Sequence, residues 1–79
     1  NPITTIVYNL PEDAFVSITI YDLMGRFIKT IVNSHQNAGR KLIKWNARNE
    51  KNKVVSTGVY FYLVEVDEFR QIKKMMFLK

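Results

Sequence analysis

Phe15-Val16-Ser17-Ile18-Thr19-Ile20-Tyr21 is the stretch on which the fold turns. Val16, Ile18 and Ile20 fall on one side of a two-residue repeat, with Ser17 and Thr19 on the other. That period marks a half-buried strand, and β-branched side chains suit its pleated surface. Just upstream, Thr4 to Leu10 is again rich in β-branched residues and ends at Pro11, which has no N–H to give a ladder. Glu12-Asp13 then reads as a turn. Downstream, Asp22-Leu23-Met24-Gly25-Arg26 places an aspartate first and a glycine fourth, the preference of a type I turn. Arg26 to Val32 resumes the strand pattern, and Asn33 to Gly39 reads as a polar loop.

The second half follows the same grammar. Arg40 to Trp45 is a strand with Ile43 and Trp45 on its inner face. Asn46 to Lys53 is a polar loop, Val54-Val55 a short edge strand, and Ser56-Thr57-Gly58 a turn. Val59 to Val66 is apolar on both faces, as expected of a central strand covered on each side. Asp67-Glu68 turns the chain into a last strand, Phe69 to Leu78. Ile20 to Ile31 comes nearest to a helical stripe, but Gly25 and its β-branched neighbours argue against one. Six or seven short strands, roughly 8–12 residues apart, predict an all-β antiparallel sandwich. We take it as about seven strands in a single domain over residues 1–79.

Length and composition agree. Seventy-nine residues make one domain, and a 47% hydrophobic fraction with five phenylalanines, four tyrosines and a tryptophan supplies one core. Cysteine is absent, which removes disulfides, thiolate metal sites and cysteine nucleophiles together. The net charge of +5 is uneven: residues 1–39 carry two basic and three acidic side chains, residues 40–79 ten and four. A basic cluster at Arg40, Lys41, Lys44, Arg48, Lys51 and Lys53 could attract nucleic acid or an anionic membrane. Its plainer reading is a solubilising surface, so we expect neither a nucleic-acid partner nor membrane insertion. No apolar run approaches the roughly 18 residues of a membrane helix. The start, Asn1-Pro2-Ile3, has no signal-peptide character, so an export signal is expected outside this segment.

Candidate chemistry is sparse. His35, the lone histidine, stands beside Ser34 in the polar loop, where proton transfer would lack fixed geometry. Of the carboxylates, Glu12, Asp13, Asp22, Glu50, Asp67 and Glu68 fall at turns or loops, leaving only Glu65 on a strand. Asp67 and Glu68 fall short of the six to eight oxygens that calcium takes. Tyr60 and Tyr62 share one face of the central strand with Phe61 opposite. Such aromatics are ordinarily core, as is Trp45, whose indole N–H then needs a partner. We expect no catalytic residue, no cofactor and no metal. A carbohydrate-binding reading would require Trp45, Tyr60 and Tyr62 exposed together on a flat face.

The order of motifs resembles the C-terminal sorting domain of type IX secretion cargo. The matching residues are Tyr8-Asn9-Leu10-Pro11, then Val16 to Ile20 leading into Tyr21-Asp22-Leu23-Met24-Gly25-Arg26. Ala38-Gly39 before a strand ending at Trp45, Thr57-Gly58-Val59-Tyr60-Phe61-Tyr62 and the terminal Lys73 to Lys79 follow in order. The pattern is also similar to the immunoglobulin-like domain of the flagellar hook-capping protein, including the tryptophan, the polar loop and Gly-Val-Tyr. Both imply an immunoglobulin-like antiparallel sandwich. The ending, one residue past the last apolar position, favours sorting. Two departures stand out: only Asn1-Pro2 remains of a longer Pro-Asn-Pro-Phe lead, and Asn46-Ala47-Arg48 replaces an acidic residue or glycine after the tryptophan.

The sorting resemblance implies a non-catalytic module that takes an upstream cargo domain through the outer-membrane secretion machinery to the cell surface or medium. Its candidate signal residues are Gly58, Tyr60, Lys74, Leu78 and Lys79; Asp22, Gly25, Arg26 and Trp45 form the structural motif. Lys74 and Lys79 serve equally well as edge protection, since charge discourages strand-to-strand aggregation. The hook-capping resemblance implies a structural or assembly domain instead.

Overall fold

The computed structural model describes residues 4–78. Six strands follow in order: β1 (Thr4–Leu10), β2 (Ala14–Asp22), β3 (Phe27–Gln36), β4 (Gly39–Trp45), β5 (Gly58–Val66) and β6 (Phe69–Phe77). They form two antiparallel layers, β1-β4 and β3-β2-β5-β6. This is the expected immunoglobulin-like sandwich, with six strands among the described residues rather than about seven. Val54-Val55 does not form a strand: Val54 makes one isolated bridge, to Arg48. The loop before it curls too tightly to extend a ladder. The Asn49 side-chain oxygen accepts the N–H groups of Lys51 and Lys53 at 3.0 Å, and Ala47 and Asn52 take positive φ of 59° and 63°.

The alternation of β2 dictates the core. Val16, Ile18 and Ile20 are wholly buried and meet Ile6 and Leu10 of β1, with Trp45, Ala47, Tyr60, Val64 and Phe77 around them. Burying one such aliphatic side chain stabilises by roughly 1.5–3 kcal/mol. Two register shifts between β2 and β3 skip Ile31 and Ile28, and both of these side chains pack against the core. The bulges thus put more apolar side chains inward than strict alternation would allow.

Two expectations need correction. Strand β3 does not stop at Val32; it runs to Gln36, and only Asn37 and Ala38 lie between it and β4. The nine residues of β2 need backbone partners along their length, so Ser34 pairs with Val16 and His35 with Phe15. Polar side chains are tolerated there because β3 is an edge strand. The second correction concerns β5. Its inner face is covered by β1-β4, but no element among the described residues covers the outer face, where Val59, Phe61 and Leu63 lie. Leu63 is shielded laterally, with Thr19 on one side in the register and Ile72 on the other.

Candidate functional site

The conspicuous sequence motifs are accounted for by folding. In the turn after β2, the Asp22 carboxylate accepts the Met24 and Arg26 N–H groups at 2.9 and 2.8 Å and the Arg26 Nε–H at 2.8 Å. Gly25 takes φ +81°, a region side chains disfavour, and donates its N–H to the Asp22 carbonyl. The Arg26 backbone N–H is the main reason the Asp22 carboxyl lies below the ordinary aspartate range, helped by the guanidinium and by the Met24 N–H. Trp45 is 1% exposed and gives its indole N–H to the Arg48 carbonyl at 3.0 Å. Tyr60 packs edge-on against Trp45 at 5.4 Å and donates its hydroxyl to the Ser56 carbonyl.

The sorting candidates do not converge. Gly58 opens β5 at φ +155° and Tyr60 lies in the core. Lys74 stands opposite Phe61 on the outer face of β6, while Met75, opposite Tyr60, faces inward. Tyr60 and Lys74 therefore point to opposite sides of the four-stranded sheet. Leu78 is 65% exposed beyond the end of β6. Lys79 lies outside the described residues.

Acid–base chemistry fares no better. Ser34 and His35 are neighbours on a strand, so their side chains point to opposite faces. His35 rests edge-on against Phe15 at 5.2 Å. Asp13 accepts the Ala38 N–H at 2.7 Å, and Glu65 pairs with Arg70 at 3.4 Å. Among the described residues no three His, Asp or Glu side chains converge as metal ligands would. Trp45 and Tyr60 are core, and Tyr62 faces inward half-buried, which removes the flat platform that carbohydrate binding required.

What remains is surface shape, and here the structure shows a feature the sequence reading missed. A two-stranded layer lies on a four-stranded one, and among the described residues nothing crosses one long side of the sandwich. Between β1 and β6 runs an apolar groove of about 480 Å³. Val7, Leu10 and Pro11 form one wall; Tyr62, Val64 and Phe69 form much of the other. Phe69 has the inward parity of Phe77 on β6, yet it is 60% exposed against 4%. Burial pushes the Tyr62 phenol up, and the Tyr8 phenol likewise, against the opposing effect of its hydrogen bond to Gln36. The signal for the groove was parity: Phe69, Gln71, Lys73, Met75 and Phe77 share a side, and its Phe69 half is the less apolar in company.

Comparison with known proteins places this geometry. The family model for the FlgD Ig-like domain matches residues 3–68. Among solved structures, the crystal structure of FLGD from P. aeruginosa superposes with a TM-score of 0.70 at 20% identity, which speaks for the fold. The match covers 96% of this chain and 59% of that one, so the chain spans well under two thirds of that relative. No curated protein matches. With the family pattern running through five of six strands and the sandwich common to both structures, the chain belongs to the FlgD Ig-like domain family.

Proposed function

We propose that this chain is a non-catalytic structural module that helps to assemble a larger protein or complex. One observation carries the reading: a chain of the FlgD Ig-like family uses its distinctive residues to fold and, among the described residues, leaves surfaces rather than converging chemistry for function. Asp22, Gly25, Arg26, Trp45 and Tyr60 each have a place in a turn or the core. Their resemblance to a sorting domain therefore speaks for a shared sandwich before it speaks for transport.

The sorting reading stands as a second proposal, with Lys74 and Leu78, both exposed, as the candidate residues that folding leaves free. In that version outer-membrane secretion machinery would recognise the domain and deliver an upstream cargo domain to the surface or medium. The two readings separate when residues 1–79 are fused to a reporter in a type IX-competent bacterium. Deleting the last ten residues is a poor control, because β6 pairs with β5 over nine residues and buries Phe77. Lys74→Ala and Leu78→Ala leave the core alone. The assembly reading predicts that the reporter is retained. Secretion that either substitution abolishes would overturn it.

A further inference from the structure

We propose that the groove between β1 and β6 receives one extended strand of a partner protein, apolar at alternate positions and bearing an acidic residue that meets Lys73. The inference deepens the assembly reading and rests on it.

The geometry asks for a strand. Among the described residues β1 pairs only with β4, so alternate residues of β1 aim N–H and C=O into open space. Such an edge is a template for an added strand. Across the groove, Phe69, Gln71 and Lys73 of β6 line it and stay exposed, with no described residue covering them. Sheets pack about 10 Å apart and strands sit about 4.8 Å apart. A strand laid beside Val7 to Leu10 would therefore point alternate side chains onto Val66 and Phe69. Pro11 ends the template, having no N–H to donate.

Charge decides between a foreign strand and a second copy. Lys73 is the only charged side chain among the described residues lining the groove. A second copy could offer β3, β4 or β6 as free edges, but β3 carries Lys29, β4 carries Arg40, Lys41 and Lys44, and β6 carries Arg70, Lys73 and Lys74. None of those strands has an acid. Strand β1 carries no charge, so a second copy pairing β1 to β1 would bring no acid to Lys73 either. An acidic, apolar strand from another protein meets both conditions.

The test uses the isotope-labelled 79-residue chain and capped eight-residue peptides that alternate valine with threonine and carry one central glutamate. Backbone NMR should show shifts at Val7 to Leu10 and Phe69 to Lys73, with slowed amide exchange on the free edge of β1. Replacing the glutamate with lysine should weaken binding at least ten-fold, and Lys73→Glu should reverse that preference. N-methylation of alternate peptide amides, in the register that faces β1, should abolish binding. Phe69→Ala should weaken it about ten-fold while the chain's thermal melt stays within a few degrees. Absence of binding, indifference to N-methylation, or shifts confined to the outer face of the four-stranded sheet would overturn the proposal. So would self-association of the free chain that Phe69→Ala removes, since that assigns the groove to a second copy. The reporter experiment does not involve the groove, so failure here leaves the assembly reading standing.

Discussion

The two long sides of this sandwich are finished differently. On the β3–β4 side, the loop from Asn46 to Thr57 folds back across the gap. Its Glu50 N–H reaches the Ile28 carbonyl of β3 at 3.0 Å, its Arg48 carbonyl takes the Trp45 indole N–H, and Ala47 is 2% exposed. Val55 closes the return by donating its N–H to Ala47 at 2.9 Å. A shallower depression of about 390 Å³ persists beside Lys29 and Lys44. On the β1–β6 side no loop crosses among the described residues, and the groove stays open. A short strand is thus not the only way to seal a sandwich edge: a polar loop with a buried anchor does it through its own backbone. The unsealed side is where a partner has room.

The largest expected effect comes from breaking the sealed side. Trp45→Ala removes both the core anchor and the loop's tether, and should cost about 3–5 kcal/mol, enough to leave so small a domain largely unfolded. Urea unfolding measures it. Trp45→Phe keeps much of the packing and should restore part of the loss; equal loss in both would assign the effect to the indole hydrogen bond alone.

Next comes the start of β5. Gly58 holds φ +155° with open space where a Cβ would go, so Gly58→Ala meets conformational strain rather than a clash. A cost of about 1–3 kcal/mol is expected, measurable as a lower denaturation midpoint with an unchanged slope.

The Asp22 turn gives a smaller, pH-dependent effect. Its folded-state pKa is depressed, so its contribution is present above the ordinary aspartate pKa of about 3.9. It is lost as pH falls through the lower folded value. Asp22→Asn should flatten that acid-side dependence and speed amide exchange at Met24 and Arg26. An Asp22 carboxyl resonance titrating at or above the ordinary value would contradict the turn geometry.

The smallest effect belongs to the open side, and one strand holds its own control. Phe69 and Phe77 share the inner parity of β6 at 60% and 4% exposure. Phe77→Ala should cost about 3–5 kcal/mol, whereas Phe69→Ala should stay within roughly 0.5 kcal/mol, as exposed substitutions do. Similar losses in the two variants would mean the groove is closed in solution.

Much of this was legible in the residues. The alternation of β2, the Asp22 to Arg26 turn, the inward Ile43 and Trp45 and the starts of β5 and β6 all follow from side-chain period and turn chemistry. The length of β3 was not legible, because Asn33, Ser34, His35 and Gln36 look like loop while their backbones complete the ladder of β2. The seal at Glu50 was equally silent, since a backbone N–H to Ile28 leaves no mark in side-chain type. The groove escaped for a third reason. Apolar alternation reports that a face is buried in general, not how many strands the opposite layer brings to cover it. Four strands under two is a property of topology, visible only once the pairing is known.

Native-state hydrogen exchange on the free chain tests the contrast between the two sides most directly. The account predicts a protected Glu50 amide on the sealed side, and on β1 an alternating pattern in which amides turned away from β4 exchange at nearly unfolded rates. Uniform protection along β1, or an unprotected Glu50, would contradict it.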